Sequence, residues 1–352
     1  MIWLVAGGSG GHLLPAVSMF YFLKNKGIEV KLFYEEKLSI TNLLSRFVGV
    51  EKVAFPALPN IRKRPVDFLL FQKKLNGFFS REETVKRPRA VVCFGGYQSF
   101  FPAFWAGMRN IPVFLHEQNA KMGLANSVLS GFARDVFFGI RPSSLPFYME
   151  KKVVLTGNFF ALPGEMEYIR EEARLPGNIR KWVLVVGGSQ GARPLNRAIP
   201  EISKSWPADI GIVHLCGLKD LIFVKEEYLK QERVVIVSDF FAPLWPLYEK
   251  IDLMIARAGA MTTTEACYFG VPTVFVPYPY AGGHQQANVA RLLEDCACRV
   301  VSQNNKFWVE NLGKQVITLL ENDSERIEMG KRAKGAFLWD TKGLLSRLEG
   351  LL

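Results

Sequence analysis

Histidine is scarce in this sequence, and one of its four copies, His12, directly follows the run Gly7-Gly8-Ser9-Gly10-Gly11. An imidazole titrates near neutral pH, so at the edge of a glycine loop it suits general-base chemistry. The alternative is a histidine that caps or packs at a helix start. Each glycine costs conformational entropy on folding, so the loop must need positive φ angles or something pressed against its backbone. Its spacing fits neither the P-loop, which requires a lysine, nor G-x-G-x-x-G. Three other segments carry related chemistry: CFGGYQSF (93–100), VVGGSQGAR (185–193) and ARAGAMTTTEACYFGVPTVFVPYPYAGGHQQANVA (256–290).

The last two suit a nucleoside diphosphate. After Ala258-Gly259-Ala260 the pattern turns helical at Met261 and Thr262, and a helix N-terminus offers unpaired N–H groups to phosphate oxygens. Glu265 either accepts hydrogen bonds from ribose hydroxyls or forms a capping box with Thr262. His284 and Gln285, in the GGHQQ loop, are candidates for polar ligand groups. No D-x-D occurs in the chain, so no carboxylate pair has the spacing of a metal-dependent sugar-nucleotide site. Backbone amides are expected to stabilise the departing diphosphate instead, with no metal and no cofactor required. His116-Glu117 is not H-E-x-x-H, because Ala120 stands where the second histidine belongs, and His214 lies in an apolar run that reads as core.

Short β-branched runs must position these segments. They lie at 2–6, 30–34, 90–94, 113–115 and 153–157, and again at 182–188, 210–216, 233–238, 252–257 and 272–277. Amphipathic stretches separate them, such as PAVSMFYFLKNKG, which Gly27 closes. IWLVAGGSGG and VLVVGGSQGA repeat the order strand, Gly-Gly-Ser loop, helix about half a chain apart. An α/β fold of two Rossmann-like domains is expected, with parallel sheets facing across a deep cleft and ligands at the carboxyl ends of the strands. The expected division is an N-terminal domain over 1–158, a C-terminal domain over 159–335, and a terminal helix over 336–352 that packs back on the first domain.

The formal net charge is +11, and all of it lies in residues 1–158, which hold 21 lysines and arginines against 10 acidic residues. Such a face suits an anionic membrane, a polyanionic ligand or nucleic acid, but no RNA- or DNA-binding motif supports the last. Residues 61–89 carry nine basic and three acidic residues interleaved with Phe68, Leu69, Phe71, Leu75, Phe78 and Phe79. This stretch is either a membrane-interface helix or a core helix with solvated charges. No apolar run reaches the ~18 to 20 residues of a membrane span. With no secretory signal pattern and five cysteines in no pairing pattern, a cytoplasmic protein with free, buried thiols is expected.

GGSGGHLLPA, CFGGYQSF, PVFLHEQNAKMGLAN, GGSQGAR, RAGAMTTTEA and HQQANVA, in this order over residues 7 to 290, resemble the MurG family. The resemblance implies a GT-B fold and inverting transfer of GlcNAc from UDP-GlcNAc to the MurNAc 4-hydroxyl of undecaprenyl-pyrophosphoryl-MurNAc-pentapeptide. That reaction belongs to peptidoglycan synthesis, and it implies a peripheral protein on the cytoplasmic face of the cell membrane. An epimerase or a glycolipid glycosyltransferase of the same fold is the alternative. By matched position, His12 is the base, and Ser9, Gly10, Gly11, Gly95, Gly96, Tyr97 and Asn119 form the acceptor side. Ser189, Gln190, Gly191, Phe241, Ala260, Met261, Thr262, Glu265, His284 and Gln285 form the donor side, with no metal ligands. Residues 61–89 coincide with the membrane-docking region implied by the resemblance. Two departures stand out: Ala161 replaces an arginine usual near the nucleotide, and Gly282-Gly283 replace Asp-Asn.

Overall fold

The computed structural model describes residues 1–57, 65–160, 162, 164, 174–188, 190–241, 243–280 and 282–351, with side chains except at 38, 39, 65–70 and 72. It divides into two compact units, Met1–Ile169 with Leu338–Leu352, and Arg170–Phe337.

The first unit is a seven-stranded, wholly parallel sheet. Its strands are β1 (Ile2–Ala6), β2 (Val30–Glu35), β3 (Lys52–Phe55), β4 (Ala90–Cys93), β5 (Val113–Glu117), β6 (Asp135–Phe138) and β7 (Val153–Leu155), in the order β3-β2-β1-β4-β5-β6-β7. Its helices are α1 (Gly10–Asn25), α2 (Leu38–Leu44), α3 (Pro65–Val85), α4 (Phe100–Gly107) and α5 (Leu124–Leu129). Side chains alternate along β1. Ile2, Leu4 and Ala6 pack with α1, whereas Trp3 and Val5 face Phe71, Leu75 and Phe79 of α3 and Trp105 of α4.

The second unit repeats the design with β8 (Lys181–Val186), β9 (Ile210–Leu215), β10 (Val235–Ser238), β11 (Leu253–Ala256), β12 (Thr273–Phe275) and β13 (Arg299–Val300), in the parallel order β10-β9-β8-β11-β12-β13. Its helices are α6 (Arg193–Ile202), α7 (Leu221–Leu229), α8 (Trp245–Tyr248), α9 (Ala260–Phe269), α10 (His284–Glu294), α11 (Trp308–Glu321) and α12 (Asp323–Gly335). The terminal α13 (Thr341–Glu349) belongs to the first unit, where Leu344 and Leu348 join the core beneath α1.

Three readings of the sequence need correction. The described part of the α3 aromatic seam faces the core and not a membrane: Phe71, Leu75 and Phe79 are buried, and Phe78 packs edge-on against Phe79 and Phe33. Their i, i+4, i+7, i+8 stripe covers the sheet, as a core helix requires. Phe68 and Leu69 lie outside the residues whose side chains are described. The opening glycine loop is shorter than it reads, because α1 starts at Gly10 with Ser9 as N-cap, five residues before Pro15. Of the five cysteines, all free, Cys296 is exposed and the other four are buried. Strands β3, β6 and β13 escaped the sequence reading because they are short and each begins on a charged residue.

Candidate functional site

In both sheets the chain reverses direction of growth at one pair of strands, β1/β4 in the first unit and β8/β11 in the second. Ligands of open α/β sheets bind beyond the carboxyl ends of such a pair. Each of the four glycine-bearing segments leaves one of these four strand ends.

In the first unit Val5 pairs with Cys93, so the loops after Ala6 and Cys93 emerge side by side. Gly7 and Gly8 are needed for close approach: a Cβ on Gly7 would lie 2.8 Å from Gly95 O and 2.9 Å from His12 Nδ1, and one on Gly8 would overlap the Glu35 carboxylate. Gly95 and Gly96 are needed for their left-handed conformation, φ +85° and +76°. Their backbone lies against the imidazole, since a Cβ on Gly95 would sit 3.4 Å from His12 Nε2. His12 Nδ1 lies 3.0 Å from Ser9 Oγ. Because His12 and Leu13 already donate their amides to Ser9 O, the amides of Gly10 and Gly11 are those the helix start offers outward. Burial pulls the His12 pKa below its ordinary value, and the Glu117 carboxylate opposes that shift.

Asn119 is tied to this centre through Glu117. Glu117 Oε1 accepts from the Asn119 backbone and side-chain amides, both at 3.1 Å, and Oε2 accepts from Gly123 N and Asn126 Nδ2, both at 2.9 Å. Glu117 and Asn126 were missed as positioning residues; the signals were HEQN for Glu117 and the GLAN that ends the same segment for Asn126. Tyr97 opens the turn after Gly96 with half its surface exposed. His116 is buried, stacked on Phe94, bonded to Gln118, and held by burial at a pKa of about 4. His214 is the expected core residue, bonded to Tyr228 Oη at 3.0 Å and Asn196 Oδ1 at 3.1 Å.

In the second unit Val186 pairs with Ala256, and Arg257 N donates to Val186 O at 3.1 Å, so the two donor-side loops are adjacent. Helix α9 has Gly259 as N-cap and no side-chain cap. Thr263 is the first residue whose amide bonds back, to Gly259 O at 2.9 Å, which leaves the amides of Ala260, Met261 and Thr262 outward. The capping box is therefore absent. Glu265 instead accepts from Tyr248 Oη at 2.7 Å, and burial pushes its carboxyl up to about 7 while that hydrogen bond opposes the rise.

Arg257, which the sequence reading missed, is buried two residues before the N-cap. Its guanidinium donates to Val276 O, Pro277 O and Gln303 Oε1 at 2.8, 3.3 and 2.6 Å, with no carboxylate partner among the described residues. Burial lowers its pKa to about 10.

Asn288 of α10 donates to Ala258 O at 3.0 Å and so brings the GGHQQ helix to the same loop. His284 is its first residue, and Gln285 Oε1 accepts from Tyr278 N at 2.8 Å. Gly282 and Gly283 have φ +65° and +77°, so glycine relaxes a left-handed turn while giving up a side-chain ligand. In the other loop, Gly191 N closes a turn onto Gly188 O at 2.9 Å, so that amide shapes the loop and is already bonded; Gln190 precedes it. Phe241 packs at the edge of the second core. Ser189 and Ala161 lie outside the described residues.

Two family descriptions match the chain: "Glycosyltransferase family 28 N-terminal domain" over residues 2–138 and "Glycosyltransferase family 28 C-terminal domain" over 182–343. A Rickettsia canadensis protein named UDP-N-acetylglucosamine--N-acetylmuramyl-(pentapeptide) pyrophosphoryl-undecaprenol N-acetylglucosamine transferase is 29% identical over 337 residues, covering 91% of each chain. Among solved structures, Acinetobacter baumannii MurG is similar with a TM-score of 0.74 at 27% identity, covering 99% of both chains. A putative UDP-N-acetylglucosamine 2-epimerase from Listeria monocytogenes shares the fold, at a TM-score of 0.70 and 13% identity over 99% of this chain and 96% of that one. With two parallel Rossmann-like units and both family 28 domains, the chain is a GT-B glycosyltransferase, and it belongs to the MurG family.

Proposed function

We propose that this chain transfers GlcNAc from UDP-GlcNAc to the 4-hydroxyl of MurNAc in undecaprenyl-pyrophosphoryl-MurNAc-pentapeptide, with inversion. The observation that carries the reading is the pairing of glycine-bearing loops with both switch points, around His12 in one unit and at the start of α9 in the other. The likeness to named transferases over nine-tenths of the chain supports it.

In this mechanism Nδ1–H of His12 donates to Ser9 Oγ, which leaves the Nε2 lone pair to take the proton of the acceptor hydroxyl. The freed oxygen bonds to the anomeric carbon, the bond from that carbon to the β-phosphate oxygen breaks, and UDP leaves. The charge growing on the diphosphate meets the amides of Ala260, Met261 and Thr262, with the Arg257 cation buried behind them. Glu265 holds the ribose, His284 and Gln285 the sugar or ribose hydroxyls, and the Phe241 backbone the uracil. No cofactor takes part.

Radiolabelled UDP-GlcNAc with and without lipid-linked MurNAc acceptor tests the proposal. Label moving to lipid only when acceptor is present supports it; a UDP-sugar product formed without acceptor would make the enzyme an epimerase.

We further propose peripheral docking on an anionic membrane, at the cytoplasmic face. No helix among the described residues is long and apolar enough to cross a membrane. With the α3 aromatics in the core, the apolar surface that suits a bilayer lies on α4 and the turn after α5. There Phe104, Met108 and Phe132 are exposed around an apolar groove of about 570 Å³ that Arg134 also lines. Apolar side chains beside a cation suit a headgroup layer.

A further inference from the structure

Beside the acceptor loops lies a buried carboxylate that the mechanism above does not use. Glu35, the last residue of β2, is fully buried, and Gln98 Nε2 donates to its Oε2 at 2.9 Å. Its cationic partner, Lys37, has a side chain 38% exposed, with Nζ 2.6 Å from Glu35 Oε2. Register places this pair at the loop mouth: Ala6 pairs with Tyr34, so Glu35 stands level with Gly7. The ammonium rests on the glycine backbone, since a Cβ on Gly8 would lie 2.8 Å from Lys37 Nζ. Tyr97, the half-exposed residue of the second acceptor loop, lies near enough for its hydroxyl to interact electrostatically with the ammonium. An ammonium has three N–H donors. Among the described residues Glu35 is the only carboxylate it pairs with, so N–H donors remain for a ligand at the opening of both loops.

We propose that Lys37 is a ligand-binding cation of the acceptor site and donates to a phosphoryl oxygen of the acceptor's diphosphate. This rests on the acceptor reading given above. Glu35 fixes the ammonium over Gly8. Gly8 is required because any side chain there would push the cation off the loop.

The test is steady-state kinetics on wild type, Lys37→Met, Lys37→Arg and the double variant Glu35→Gln/Lys37→Met. Binding of geranyl diphosphate to each, followed by calorimetry, is the second readout. Lys37→Met is expected to raise the acceptor KM about tenfold and leave the UDP-GlcNAc KM within twofold, the scale of one charge-assisted hydrogen bond. Lys37→Arg recovers most of the loss. The double variant, which no longer buries an unpaired carboxylate, keeps the defect. If it instead returns to the wild-type acceptor KM, the lysine only neutralises Glu35 and the proposal is wrong. Were wild type to transfer no sugar at all, the proposed reaction would fall, but the calorimetry still decides: weaker geranyl diphosphate binding in the double variant supports the lysine's role, and equal binding overturns it.

Discussion

Tyr248 donates its hydroxyl to Glu265 Oε2 at 2.7 Å, joining two residues from successive helices of the second unit. Glu265 sits where a ribose is proposed, and burial has lifted its carboxyl from the ordinary 4.5 to about 7. A raised carboxyl pKa means that the folded protein prefers the protonated form. The stability this confers is complete below about 4.5 and is lost as pH rises through about 7. Ribose hydroxyls prefer the ionised form as acceptor, so binding runs the opposite way.

The UDP-GlcNAc KM should therefore fall as pH rises through about 7. Tyr248→Phe keeps the ring that packs on Phe269 at 5.4 Å but removes the bond that favours the carboxylate. Its donor KM should rise about tenfold at neutral pH and the midpoint should move upward, with the acceptor KM unchanged. A pH series of initial rates on both proteins reads this, and an unmoved midpoint would separate Tyr248 from the ionisation of Glu265.

For His12 the prediction concerns turnover. Burial lowers its pKa, so the acid limb of kcat should lie below the 6.5 of an ordinary histidine. His12→Ala should lower kcat by roughly 10²- to 10⁴-fold while UDP still binds. Ser9→Ala, which frees the ring without removing it, should cost about tenfold. Near-normal kcat in His12→Ala would require another base.

The glycine loops were legible from composition because their glycines answer to backbone geometry, which is local. The α3 stripe was not, since a helix covering a sheet and a helix lying on a membrane present the same spacing, and only burial of Phe79 against Trp3 and Phe33 separates them. Likewise Glu35 and Gln98 are 63 residues apart, and nothing in either neighbourhood announces their bond. The sites were readable where one loop does the work, and opaque where two distant segments must meet.

Gly191 separates those cases in a single residue. Its φ of +72° belongs to the local turn, but a Cβ there would also overlap the carbonyl of Cys216, at the end of the neighbouring strand. Gly191→Ala should cost about 2–3 kcal/mol, seen as a fall of several degrees in thermal midpoint. Gly164, at φ +82° with nothing within 4 Å of an added Cβ among the described residues, is the control: the same change should cost about 1 kcal/mol, from backbone strain.

Metal removal is expected to change little. The sequence has no D-x-D, and among the described residues no three His, Cys, Asp or Glu side chains are placed to hold an ion. Saturating EDTA should leave initial rates within twofold, and a rate restored only by Mg²⁺ or Mn²⁺ would transfer the stabilisation of the diphosphate from the α9 amides to a cation.

Membrane docking separates the two aromatic groups of the first unit. Phe79 lies between Trp3, Phe55 and Trp105 in the core, so Phe79→Ala should cost about 3–5 kcal/mol whatever the lipid. Phe104, Met108 and Phe132 surround the open groove with about half or more of their surface exposed, so replacing all three by serine loses some packing, such as the Phe104–Phe100 stack, but opens no core cavity. That triple variant should lose only a few degrees of melting temperature and keep its turnover of a short-chain soluble acceptor, yet float poorly with vesicles containing phosphatidylglycerol. Because the interaction pairs apolar contact with Arg134, binding of wild type should weaken with salt without vanishing. Flotation equal to wild type in the triple variant would move the docking surface elsewhere on the basic unit.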